Sequence, residues 1–145
     1  MLGNDQSNTE RKYAPNTVGR QKFIDSMSRM AAEVWDFHNR FEIGSGQFDG
    51  QSTTDIVANR TSILDEEFKE LAQAISEKEG DEAVADETAD ILFVAMGHAE
   101  AMGNPGIEGA DRVSKKAAAK TSKTHAIRLD TGKVLPREGK PHKWQ

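Results

Sequence analysis

The sequence predicts an all-α protein, a four-helix bundle that ends in a short C-terminal β-hairpin or extended tail. Three observations carry that expectation. Apolar residues recur at three- and four-residue spacing along successive segments. Capping residues, glycines and prolines punctuate those segments. The later connections are short, as an antiparallel bundle requires.

The first helix is expected between Val18 and Phe41, with Phe23, Met27, Met30, Ala31, Val34, Phe37 and Phe41 on its apolar stripe. Glu42 to Thr54 is rich in glycine and small polar residues and reads as a loop. Its length leaves room for a chain crossing or an exchange between subunits. Thr53, Thr54 or Asp55 can cap a second helix that runs to about Glu79 and stops at Gly80. Asp81 can cap a third, which runs to about Met102 and stops at Gly103-Asn104-Pro105-Gly106. A fourth helix is expected from Glu108 to Ser122, favoured by Ala117-Ala118-Ala119. Ala126–Leu129 and Lys133–Leu135 alternate around Asp130-Thr131-Gly132 and read as a hairpin. The organisation is a flexible N-terminal arm over 1–17, a helical catalytic domain over 18–125 and a basic hairpin or tail over 126–145.

Composition sets limits. The 145 residues suit one domain with one modest core. Cysteine is absent, which excludes disulfides and thiolate metal sites. The first residues are polar, and no stretch reaches the ~20 apolar residues of a membrane span. The expectation is a soluble, cytoplasmic chain with no membrane partner. Its net charge of −5 is unevenly spread. Residues 65–90 carry eleven acids against two lysines, a local net of −9, while residues 111–145 carry ten Lys/Arg against three acids, a local net of +7. That pattern suits a metal that meets a phosphate, or simply two solvated helix faces.

The acids have a direction. With Ile56 at zero on a helical wheel, Ile63, Leu71 and Ala74 fall within about 60° of it, and Glu67 lies at about 20°, inside that arc. Glu70 flanks the arc at about 320°. With Val84 at zero on the third helix, Glu87 falls at about 300° among apolar neighbours and Asp90 at about 240°, at the edge. An unpaired buried carboxylate costs several kcal/mol, and like charges add repulsion. Two compensations are open: pairing with Lys or Arg, or binding divalent cations. Arg60 is the only basic residue on that face. Four oxygen-donor side chains suit Mg²⁺ or Mn²⁺. An EF-hand is excluded, because its ligand-bearing loop is missing.

These residues resemble a known family. Ile63 to Leu71, followed by Asp86 to Leu92, resembles the acidic signature of the MazG-type all-α nucleotide pyrophosphohydrolases, an ExxE motif followed by ExxD. Val34 to Phe41 resembles the first-helix end of compact phage-type members. Arg60, Lys116 to Lys120, Thr124-His125 and Thr131 to Val134 extend the likeness over roughly 18–135. One departure stands out: relatives often place asparagine after the lysine equivalent to Lys116, and here Ala117 stands there.

The resemblance implies cleavage of a nucleoside triphosphate, ribo or deoxy, to its monophosphate and pyrophosphate. It implies that Glu67, Glu70, Glu87 and Asp90 hold Mg²⁺ or Mn²⁺, roughly one to three ions per site. Glu67, or Glu66 beside it, would accept the proton of the attacking water. Lys116, Lys120, Lys123 and Arg128 would bind phosphates. The likeness to phage-type members implies pruning of deoxynucleotide pools in a host cytoplasm, with dGTP favoured. The same fold serves dUTP/dCTP diphosphatases and phosphoribosyl-ATP pyrophosphohydrolases, and it implies a homodimer or homotetramer.

Other residues carry two readings. Trp35, Phe37 and Phe41 stack on a base or fill the core, with Trp35 off the main stripe. His38 and Asn39 bond a base or sugar, or form a polar helix end. His98 supports the acids or bonds a carbonyl within the core. Gly97 permits close helix approach. A non-enzymatic helical protein with a nucleic-acid-binding tail is the alternative class, although no groove-reading motif is present.

Overall fold

The computed structural model describes residues 18–44 and 52–137. The expected N-terminal arm, most of the first loop and the end of the tail lie outside them. The order is α1 (Arg20–Arg40), α2 (Thr53–Ser76), α3 (Asp81–Ala101), α4 (Asn104–Ala118), β1 (His125–Ile127) and β2 (Val134–Pro136). The all-α class with four helices and a terminal hairpin is as the sequence predicts. Among the described residues, no helix is long and apolar enough to cross a membrane.

The described residues form two compact units, divided between Gly103 and Asn104. In the first, α3 packs against both α1 and α2. Val34, Ile56, Ala74 and Ala101 are fully buried between them. Phe37 of α1 meets Phe93 of α3 edge-on at 5.7 Å, which fixes where those two helices touch. Phe23, Trp35, Phe41, Phe68 and Ile75 are each more than half exposed.

The helix ends differ from the sequence reading in ways local chemistry explains. The cap of α2 is Ser52, one residue before the expected candidates. Its Oγ accepts from the Asp55 N–H at 3.1 Å, and the Asp55 carboxylate accepts from the Ser52 N–H at 3.3 Å. That reciprocal pair satisfies two orphan donors. At the other end, Lys78 takes a left-handed φ of 53°, and the Glu79 N–H reaches the Ala74 carbonyl. The helix therefore ends at Ser76, and Gly80, with φ 107°, instead starts α3. Asp81 and Glu82 fall in the first turn of α3, where acids favour the helix dipole.

In the second unit, α4 starts at Asn104, four residues before the expected Glu108. Gly103, with φ 72°, breaks the chain from α3, and Pro105 fits a first helical turn. The same helix stops at Ala118, short of Ser122, because a turn follows in which the Thr121 carbonyl accepts from the N–H groups of Thr124 and His125. The antiparallel hairpin pairs His125 with Pro136, Ala126 with Leu135 and Ile127 with Val134.

Candidate metal centre

Glu67 and Glu70 lie one turn apart on α2, and Glu87 comes from the facing α3. Each of the three offers a carboxylate oxygen, and these oxygens lie within 4.8 Å of one another. Glu67 and Glu87 are half-buried and Glu70 is exposed. The helical-wheel expectation that Glu67 is buried holds for part of the side chain. Its Oε2, like Oε2 of Glu87, is shut off from solvent with no hydrogen-bond partner. Asp90 is exposed and outside the close trio, but its charge bears on both Glu67 and Glu87.

The electrostatics of the cluster are unfavourable without a cation. Loss of solvation, followed by repulsion from Glu70 and Asp90, raises the pKa of Glu67 above the usual carboxylate range. Glu87 is raised by the same causes in the same order, with Glu79 adding to them. Lys69, nearest in sequence, is turned away into an ion pair with Asp65 at 3.0 Å. Two orphaned buried oxygens in an all-carboxylate donor set match what a hard divalent cation requires.

Beside the cluster lies a cavity of about 260 Å³, lined by Phe37, His38, Ile43, Arg60, Ile63, Glu67, Asp90, Phe93 and Val94. His38 is only 3% exposed, and its Nδ1 meets Glu100 Oε1 at 2.6 Å. Arg60 is half-buried. Desolvation lowers its pKa, partly offset by the charge of Glu100. The His98 Nε2 faces the Arg60 carbonyl oxygen at 3.2 Å, so His98 is the core histidine bonded to a carbonyl. Desolvation, followed by the charge of Arg60, lowers the His98 pKa, and the bond to the Arg60 carbonyl opposes that shift. Gly97 lets these groups meet: a Cβ there would stand 3.0 Å from His38 Nε2 and 3.2 Å from Arg60 Nη2.

The predicted site residues therefore separate. Glu67, Glu70 and Glu87 form the cluster, Asp90 borders it, and His38 and Arg60 line the cavity. Glu66 is exposed and in neither group. Trp35 and Asn39 are exposed and do not line the cavity, whereas Phe37 does. Lys116, Lys120, Lys123 and Arg128 belong to the second unit. Lys120 lines a separate cavity there, and Arg128 is held by both oxygens of Asp130 at 2.7 and 3.1 Å. Sequence reasoning missed Glu100 and Phe93. On a helical wheel Glu100 lies about 160° from Val84, where a helix packed on one side meets solvent. The α3 helix is packed on two sides, so Glu100 is half-buried there and reaches His38.

The family model for phosphoribosyl-ATP pyrophosphohydrolase matches residues 34–116, from the second half of α1 into α4. No curated protein and no solved structure matches the chain. The matched span holds the whole acidic cluster and every residue of the adjoining cavity, and it covers more than half of the chain. This chain belongs to the phosphoribosyl-ATP pyrophosphohydrolase family, within the MazG-like all-α pyrophosphohydrolases.

Proposed function

We propose that the chain is a metal-dependent nucleotide pyrophosphohydrolase that cleaves a ribo- or deoxyribonucleoside triphosphate to its monophosphate and pyrophosphate. One observation carries the reading: three carboxylate oxygens from two helices within 4.8 Å, with Oε2 of Glu67 and of Glu87 buried and unpartnered. Glu67, Glu70 and Glu87 would hold Mg²⁺ or Mn²⁺, with Asp90 closing the site. Such ions neutralise phosphate charge and make a bound water more acidic.

The side chains divide the remaining work. Glu67 is the group we assign to accept the proton of the attacking water; the exposed Glu66 is the alternative acceptor. The water oxygen forms a bond to phosphorus, the bridging anhydride bond breaks, and pyrophosphate leaves. The cavity, walled by Phe37, Ile63, Phe93 and Val94, shields the nucleoside from water. Lys116, Lys120 and Lys123 are proposed to hold phosphate oxygens. Arg128, proposed for the same role, also pairs with Asp130 in the hairpin turn. The exposed Trp35, Phe41 and Phe68 suit burial by a second copy of the chain in a homodimer or homotetramer.

Among triphosphates, dGTP is the substrate proposed first, from the likeness to phage-type members. The family match favours a second reading, phosphoribosyl-ATP, which carries the same triphosphate. A panel of NTPs, dNTPs and phosphoribosyl-ATP with Mg²⁺ or Mn²⁺ separates the two by relative kcat/KM. Turnover confined to phosphoribosyl-ATP would overturn the first reading, and failure on every substrate would overturn both.

A further inference from the structure

The second unit carries a cavity of its own, about 410 Å³, a size that suits a small organic ligand. Lys120, Thr121, Ser122, His125 and Arg137 form its polar wall, and Ala126, Ile127 and Val134 its apolar wall. None of these residues lines the cavity beside the acids, and none is acidic. Residues 104–137 hold eight Lys/Arg against three acids, a local net of +5, so the field there attracts anions.

The polar wall is held in place. The Arg137 N–H donates to the Thr124 carbonyl at 2.8 Å, and its Nε donates to the Ser122 carbonyl at 2.8 Å. The guanidinium is thus fixed beside another wall residue, and Arg137 stays exposed. Among the described residues it has no carboxylate partner, unlike Arg128, which pairs with Asp130. His125 is only 6% exposed, and its Nδ1 lies 2.8 Å from Thr124 Oγ1. On the apolar wall Ile127 pairs with Val134 across the hairpin, and both are more than a third exposed.

The two walls ask for different things. A planar guanidinium, an ammonium and hydroxyl groups donate to phosphate oxygens. An exposed apolar pair is covered by an organic face. Inorganic phosphate would use the first wall alone, whereas a nucleoside monophosphate, the product of the proposed reaction, uses both. We propose that this cavity binds the phosphate of a nucleotide through Arg137 and Lys120, with the nucleoside against Ile127 and Val134. The inference rests on the pyrophosphohydrolase reading only for the class of ligand. That nucleotide is either free in solution or the substrate itself, to whose phosphates Lys120 is assigned above.

The experiment has a binding arm and a turnover arm. In chelator the acidic cluster carries no metal and repels phosphate, so binding there reports on other sites. AMP, adenosine and inorganic phosphate are titrated into the isotope-labelled full chain and followed by NMR. Arg137→Gln and Lys120→Gln are the variants, and circular dichroism checks their fold. AMP is expected to shift the amide signals of residues 120–137 and to bind at least about tenfold tighter than adenosine or phosphate. Each variant is expected to lose about tenfold of that affinity. With Mg²⁺, an unchanged KM in Arg137→Gln assigns the pocket to free nucleotide, and a raised KM at constant kcat assigns it to the substrate's own phosphates. Adenosine that binds as tightly as AMP, shifts that avoid residues 120–137, or affinity undiminished in both variants would overturn the proposal. Binding in chelator needs no turnover, so it decides on this pocket even if the pyrophosphohydrolase reading fails.

Discussion

A methyl group added at Gly97 sets two effects of opposite sign against each other. Alanine is favoured over glycine inside a helix by about 1 kcal/mol. Against this, the new Cβ would lie 3.0 Å from His38 Nε2, 3.2 Å from His38 Cε1 and 3.2 Å from Arg60 Nη2. The arginine tip can move aside. The imidazole cannot, because it is 3% exposed and bonded to Glu100 at 2.6 Å. Overpacking of this kind costs about 1–3 kcal/mol. Gly97→Ala is therefore expected to change stability by between about zero and 2 kcal/mol, in the destabilising direction. Gly109→Ala in α4 is the control. Its Cβ would make ordinary contact with Arg112 Nη2 at 3.7 Å, so only the helical gain of about 1 kcal/mol remains. Urea denaturation followed by circular dichroism should place the two variants about 1–3 kcal/mol apart, with Gly109→Ala the more stable. Equal stabilisation by both would show that the His38 ring moves freely and that the cavity beside it is not fixed.

Other outcomes follow from the same geometry. Glu67 and Glu87 bind protons more tightly in the folded protein than carboxylates ordinarily do. Their contribution to stability is therefore full below the ordinary carboxylate range and is lost as pH rises through their raised values. The melting temperature of the metal-free protein should show this loss on the alkaline side of that range. Mg²⁺ or Mn²⁺ should raise it more at neutral pH than in acid, and calorimetry in two buffers should detect proton release on metal binding. A metal-induced shift that is the same in acid and at neutral pH would contradict the cluster's role. Ser52→Ala removes the side-chain half of the α2 capping box and should cost about 1 kcal/mol in the same urea assay, whereas no loss would mean that this cap does not hold the helix start.

Periodicity made the helices legible, and it placed Glu67 and Glu87 toward the packed faces from sequence alone. The ends were less legible because they depend on φ at single residues. Lys78 takes the left-handed turn that glycine usually provides, so α2 stops earlier than Gly80 suggests. A helical wheel also assumes one packed face. That assumption fails for α3, which explains why Glu100 reads as solvent-facing yet holds His38. The base-contact reading of Trp35 rested on its position off the apolar stripe. The structure gives the cavity wall to Phe37 on the stripe, because α1 meets α3 through Phe37 and Phe93.

The central claim is that the acidic cluster cleaves a nucleotide between its α and β phosphates. Phosphorus NMR of a triphosphate incubated with the chain and Mg²⁺ reads the products directly, with Glu67→Gln as the paired sample. The account predicts nucleoside monophosphate and pyrophosphate, no turnover in chelator, and a loss of at least about a hundredfold in the folded variant. Diphosphate with inorganic phosphate as products, or undiminished turnover by Glu67→Gln, would contradict it.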